Sequence, residues 1–294
     1  IPHDLLIAKL HAYGFSENAC RMAQSYLSKR EQRVKLGSSR SGWMYIKKGI
    51  PQGSIVGPTL FNVFLNDLML SLRNMCNVYN YADDNTLSFC HPDPATVKAT
   101  LERAANHAIA WFERNDMKVN PTKFQALVIY GRKTEHIIQS FNLSSGAVIK
   151  PEKNVKLLGC IIDEKLNFSA HVKELSKKCS KQINIMARLC HHLSTECKLK
   201  IFQAFLLSNL DYCSSVYHHC TKTDAQNLER IQKRFLRYVQ LDFQSSYCDV
   251  LISSNQVTLY ERRSKIILEN VFKIQNDSLP PVECTLFFPL SNRL

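Results

Sequence analysis

The sequence predicts an α+β chain, with an antiparallel sheet and helices over about residues 1–163 and an all-helical part beyond. Two observations carry this. Up to residue 162, short runs rich in Val, Ile, Tyr and Leu are separated by Gly, Asn, Asp and Pro, the punctuation of hairpins and turns. After residue 167 the apolar residues recur at three- and four-residue spacing, the period of helices buried on one face. Of the 294 residues 45% are hydrophobic and 10% aromatic. That is enough for a substantial core in two lobes and excludes a disordered chain.

No apolar run reaches the roughly 18 residues of a membrane span, and no secretory signal opens the sequence. Eleven cysteines in irregular spacing, with no C-x-x-C pair, read as free thiols of a reducing compartment. The net charge is +13, with 19 basic against 12 acidic residues over 1–155 and 19 against 13 afterwards. A positive field on both parts suits a polyanionic partner. Ordinary solubility charge explains it equally well, so charge alone leaves both readings open.

In chain order, Leu5, Leu6, Ala8, Lys9 and Leu10 mark an amphipathic helix. A second starts at Ser16 as N-cap and runs through Ala19, Met22, Ala23, Tyr26 and Leu27. Strands are expected over 32–36 and 43–47, joined by a Gly- and Ser-rich loop. Residues 49–58 hold three Gly and two Pro, which keep the backbone open to close approach by a ligand. They lead into a helix over 59–72 with a buried stripe of Leu60, Phe61, Phe64, Leu65 and Leu68. Pro58 lies at or just before its first turn, where the missing N–H does no harm.

Asp83 and Asp84 sit between strand-like runs at 77–81 and 86–89, and both are placed in the hairpin turn. No Lys or Arg occurs from Asn74 to Val97. The missing counter-charge is either water, at a solvated turn, or a divalent metal suited to hard oxygen ligands. Further on, a helix is expected over 94–117 with Val97, Leu101, Ala104, Ala105, Ala108 and Trp111 or Phe112 inward. Strands over 125–129, 147–149 and 155–162 would complete the sheet. Helices follow over 169–189, 195–210, 224–240 and 258–274. Cys190, His191, His192, Cys197, Cys213, His218, His219 and Cys220 match no structural-zinc spacing and read as thiols and surface imidazoles. Residues 279–294 read as loop.

Taken together, the motifs resemble the reverse transcriptases of non-LTR retrotransposons, particularly the jockey-like LINE lineage. The segment from Gly49 through Gln52 and Gly53 to Pro58 and Asn62 resembles motif B, and Tyr81-Ala82-Asp83-Asp84 resembles motif C. Asn120-Pro121-Thr122-Lys123 resembles motif D, and residues 155–163, with Leu158 and Gly159, the primer grip. Residues 210–217 and 228–235 are similar to the segment after the palm. The order and spacing agree over nearly the whole chain.

The resemblance implies a right-hand polymerase palm over 1–163, a helical thumb over 164–245 and a C-terminal connection over 246–294, with most of the fingers missing. It implies RNA-directed DNA synthesis on an RNA template, a DNA primer and dNTPs with magnesium or manganese. Asp83 would be the direct metal ligand, Asp84 a supporting carboxylate and Lys123 the general acid. Tyr81 would pack under the turn near the primer end, and Gln52, Gly53 and Pro58 would lie against template and base pair. Lys173, Lys177, Lys178, Lys181, Lys233, Arg234 and Arg237 would track phosphates; solvated helix faces are the alternative. The family also implies an intracellular protein, nuclear and cytoplasmic. Motif A, with its metal-binding Asp, would precede residues 1–4, and Asp4 is read as a helix-start residue, not a substitute. The chain is therefore expected to be cut from something longer and inactive alone. A noncatalytic nucleic-acid-binding transposon relic is the alternative.

Overall fold

The computed structural model describes residues 1–131 and 138–276. The end segment over 279–294 lies outside them. The described residues form two compact units, one of residues 1–126 and 138–151, the other of 127–131 and 152–276. Their sheets are five separate two-stranded antiparallel ribbons, not one continuous sheet.

The first unit opens with helices α1 (His3–Ala12) and α2 (Glu17–Leu27). Ser16 caps α2, its hydroxyl accepting from the Ala19 amide at 3.3 Å. The strands expected over 32–36 and 43–47 are broken into four. Strand β1 (Glu31–Gln32) pairs with β4 (Met44–Tyr45), and β2 (Lys35–Leu36) with β3 (Ser39–Arg40). The loop between them is shorter than expected, because the chain reverses at Gly37, with φ +60°, and Ser38, leaving Leu36 opposite Ser39.

Helix α3 (Gly57–Leu72) follows, then the hairpin β5 (Asn77–Tyr81) and β6 (Asp84–Ser88), then α4 (Pro94–Arg114). The last helix stops three residues before the expected end. Asn115 is buried and its Nδ2 donates to the Trp111 carbonyl at 2.8 Å, while Asp116 turns the chain away at φ +55°. Strands β7 (Phe141–Asn142) and β8 (Val148–Ile149) form a short ribbon. The strand expected over 125–129 does not form. A ladder needs a neighbouring strand, and this segment makes a single parallel bridge, Ala126 to Pro151.

Three helices of this unit meet on one partly buried charge. Lys9 Nζ of α1 donates to both Asp67 oxygens of α3 at 2.8 and 2.9 Å and to the Phe64 carbonyl at 2.9 Å. It lies 4.1 Å from the Phe64 ring centroid and 4.5 Å from that of Trp111 on α4. Trp111 Nε1 completes the set by donating to Asp67 at 3.2 Å. Around it Leu6, Leu10, Leu60, Leu68 and Leu72 close the core.

The second unit opens with β9 (Asn154–Leu157) and β10 (Cys160–Asp163), antiparallel. The expected single strand over 155–162 is thus a hairpin, because Leu158 and Gly159 both take positive φ, +46° and +85°. Asp163 accepts from the amides of Lys165, Asn167 and Phe168 and so leads the chain into α5 (Ser169–Leu189). The helix expected over 195–210 is α6 (Thr195–Ile201), a π-helical segment (Phe202–Leu207) and α7 (Ser208–Asp211). The widened turn keeps Phe202, Leu206, Leu207 and Leu210 on the buried side.

Helix α8 (Lys222–Gln240) lies against α5, with Leu228, Phe235, Leu236 and Val239 facing Val172, Cys179 and Ile183 in one core. Helix α9 (Tyr247–Ser253) was not expected, although Ser246 and Asp249 form a capping box at its start. Helix α10 (Leu259–Gln275) has its own box in Thr258 and Glu261. Arg262 of α10 grips Asp211 of α7 through Nε and Nη2, both at 2.7 Å at closest. The ten cysteines among the described residues are free thiols. No helix among them is long and apolar enough to cross a membrane.

Candidate active site

Asp83 and Asp84 stand at the tip of β5–β6. Tyr81 pairs with Asp84, so the loop is only Ala82 and Asp83. Asp84 and Asn85 are therefore strand residues, a correction to the four-residue turn read from sequence. Ala82 takes φ +52°, at the first loop position where glycine is the usual occupant. A side-chain-bearing residue there costs about 1–2 kcal/mol. The Asn85 Nδ2 donates to the Asp83 carbonyl at 3.1 Å and ties the turn together.

Both carboxylates are exposed, and among the described residues neither accepts a hydrogen bond nor pairs with a cation. Two adjacent negative charges without compensation attract cations. Their donor set is hard oxygen, which suits magnesium or manganese, and magnesium is commonly held by one or two carboxylates with water and substrate phosphates filling the rest of its shell. The pair fits that role. No group of three His, Cys, Asp or Glu side chains that could hold a metal occurs among the described residues, so the hairpin offers two side-chain ligands and not a complete cage. Tyr81 does not pack under the turn; its side chain is 67% exposed.

Ahead of α3, Gly49 and Gly53 have φ +94° and +81°. Gln52 and Gly53 are exposed, and the space a Cβ on Gly53 would enter is open. The loop is fastened at both ends. His3 Nε2 donates to the Gly49 carbonyl at 2.8 Å, and Ser54 Oγ accepts from the Gly57 amide at 3.0 Å. Gly57 is tightly enclosed, since a Cβ there would lie 2.7 Å from Ser54 Oγ and 3.3 Å from the Pro51 carbonyl. Pro58 occupies the first turn of α3 and is exposed. Lys123 ends a 3-10 turn (Pro121–Lys123) in which Asn120 accepts from the Thr122 amide; its side chain is exposed.

The remaining sequence-predicted residues belong to the second unit. Leu158 and Gly159 form the β9–β10 turn. Lys173, Lys177, Lys178 and Lys181 are all exposed on α5, and the first, second and fourth fall in one row at four-residue spacing. On α8, Arg234 is exposed, Lys233 Nζ lies 5.8 Å from the Tyr247 ring centroid, and Arg237 Nη2 donates to the Ser245 carbonyl at 3.3 Å. Ser54 and Tyr212 were missed by sequence reasoning. Ser54 had a local signal, three residues before a helix start. Tyr212 had none, because it acts on a hairpin more than fifty residues away.

Against known proteins, the family model described as Reverse transcriptase (RNA-dependent DNA polymerase) matches residues 1–162. The chain is 25% identical over 227 residues to the RNA-directed DNA polymerase from mobile element jockey of Drosophila melanogaster, covering 74% of this chain and 24% of that protein. It is 25% identical over 247 residues to the probable RNA-directed DNA polymerase from transposon BS of the same organism, covering 81% and 27%. For the probable RNA-directed DNA polymerase from transposon X-element, also of D. melanogaster, the figures are 25% over 235 residues, 74% and 24%. The chain thus spans about a quarter of the length of these relatives. No solved structure matches it.

Proposed function

The chain belongs to the reverse transcriptase (RNA-dependent DNA polymerase) family, and from that premise we propose that it carries palm and thumb of the RNA-directed DNA polymerase of a non-LTR retrotransposon. The observation that carries the reading is the β5–β6 tip, two exposed and uncompensated carboxylates inside the matched region. On this reading the palm runs over 1–163, the thumb over 164–245 and a connection over 246–294.

Magnesium or manganese ions, when bound, would supply the charge that holds an incoming triphosphate and activates a primer 3′ hydroxyl. Asp83 would be the direct ligand and Asp84 the supporting one. Lys123 would hold a proton at Nζ for the leaving pyrophosphate. Its exposed position leaves that amine free to reach a substrate. Gln52 and Gly53 would lie against template and base pair, where the open space beside Gly53 admits a strand. The exposed side chain of Tyr81 would sit near the primer end. Leu158 and Gly159 would grip the primer, and the lysine row of α5 with Arg234 would follow the duplex phosphates.

The β5–β6 tip supplies two carboxylates, and on this reading a motif A strand supplies a third. The test is primer extension with an RNA template, a DNA primer, dNTPs and magnesium or manganese. The chain is assayed by itself and joined to an upstream Asp-bearing strand. Synthesis by the joined protein that stops when the divalent ion is chelated supports the reading. Salt-sensitive binding to the RNA–DNA hybrid without synthesis in either form would favour a noncatalytic nucleic-acid binder.

A further inference from the structure

Away from the carboxylate hairpin, the second unit buries a guanidinium that has no ion-pair partner among the described residues. Arg263 of α10 is 3% exposed, and its Nε is enclosed without a hydrogen-bond partner. Its neighbour Arg262 is matched to Asp211, whereas Arg263 forms no ion pair among the described residues. An arginine stays charged at any ordinary pH, and a buried unpaired charge is heavily unfavourable. The turn between α7 and α8 holds a second orphan, since His218 Nδ1 is also enclosed without a partner.

His218 packs against the helix that carries Arg263 through the ring of Tyr260. His218 is held below its ordinary imidazole value first by burial and then by the Arg263 charge. The same charge acts on Tyr217 and Cys220, opposing the upward push of their burial. At the rim, Tyr260 sits one helical turn before Arg263. Its ring centroid is 5.7 Å from that of His218, tilted 31°, and the side chain is 62% exposed. A guanidinium and an imidazole that both lack a partner can be met by one oxyanion, and a guanidinium suits a phosphate in particular. An exposed aromatic face beside them wants a flat partner. A phosphate with a base attached meets both demands, and the base must be unpaired to offer its face.

We propose that Arg263, His218 and Tyr260 form a clasp for one nucleotide of a single-stranded polynucleotide, the phosphodiester against Arg263 and His218 and the base stacked on Tyr260. The clasp rests on the nucleic-acid reading above only in preferring a polynucleotide to a free phosphate.

The test uses the whole chain and fluorescence anisotropy with short single-stranded RNA and DNA oligonucleotides, and an RNA–DNA hybrid as a separate arm. Arg263→Met weakens single-strand binding about tenfold and makes the log–log salt slope shallower by about 0.7. Tyr260→Ala, at an exposed position, weakens it by about fivefold or more. Hybrid binding is unchanged in both. If Arg263→Met does not fold, as a urea melt would reveal, Tyr260→Ala decides. Wild-type affinity and slope in the folded variants would overturn the clasp. So would inorganic phosphate or a phosphopeptide competing as well as an oligonucleotide. Loss of single-strand binding in the variants, in a chain that neither binds hybrid nor synthesises DNA, would keep the clasp and sink the polymerase reading.

Discussion

The phenol of Tyr212 donates to the Leu158 carbonyl at 2.5 Å, and its ring lies 3.3 Å from where a Cβ on Gly159 would stand. One side chain from the end of α7 therefore fixes both residues of the β9–β10 turn. On the proposed reading this turn belongs to the primer grip, and Gly159 answers two demands there, positive φ and the close ring. Gly159→Ala is expected to cost about 1–2 kcal/mol from the backbone alone, with the ring contact adding to it. Tyr212→Phe is expected to cost about 0.5–1.5 kcal/mol. Urea unfolding measures both, and an unchanged midpoint for Gly159→Ala would contradict this account of the turn.

Lys9 and Asp67 join α1, α3 and α4, and their separate removal should not be additive. Lys9 has 11% of its side chain exposed and Asp67 42%, so the pair is only partly shielded. Asp67→Ala strands the lysine among rings and is expected to cost about 1–3 kcal/mol. Lys9→Met, which keeps much of the stem and removes the charge, should cost less. The double variant should be more stable than the sum of the two losses predicts.

Acid should loosen α4 through its cap. The Asp93 carboxyl is held below the usual carboxylate range by the Thr96 hydroxyl, then by the amides of Thr96 and Ala95. A depressed folded-state value means that this stabilisation is present above the unfolded value of about 3.9 and disappears as pH falls through the folded one. Asp93→Asn keeps a cap acceptor and loses the charge, so its melting temperature should fall less steeply than the wild type's below about pH 4. Equal slopes would contradict the assignment.

Much of this was legible in sequence because it is local. Ser16 as a cap, α5 over its full length and the α8 and α10 periodicities depend on residues within one or two turns of each other. The Asp pair was visible through a gap in basic residues. Apart from α9 and Ser54, whose cap signals are local, what was missed depends on distance. The segment over 125–129 has strand composition but finds one bridging partner, and the β9–β10 reversal hangs on positive φ at Leu158, which no composition rule favours. Asp84 was assigned to the turn because nothing local says that Ala82 will accept a positive φ. The burial of Arg263 without an ion-pair partner among the described residues cannot be seen in sequence, since it shows only when the fold is known.

Gly57 and Ser54 give a sharper test of the loop before α3. A Cβ at position 57 would displace the Ser54 hydroxyl, which caps the Gly57 amide. Gly57→Ala is expected to destabilise by about 1–3 kcal/mol. Adding Ser54→Ala should recover part of that loss by removing the clash. Full additivity would show that the crowding is relieved in some other way.

The most direct measurement is the rate of RNA-templated primer extension by the chain joined to an upstream Asp-bearing strand, with Asp83→Ala and Lys123→Ala beside it. The account predicts that Asp83→Ala falls to background while still binding the hybrid, and that Lys123→Ala slows the chemical step by about 10²–10⁴-fold. Undiminished extension by Asp83→Ala would contradict it and move the catalytic metal away from the β5–β6 tip.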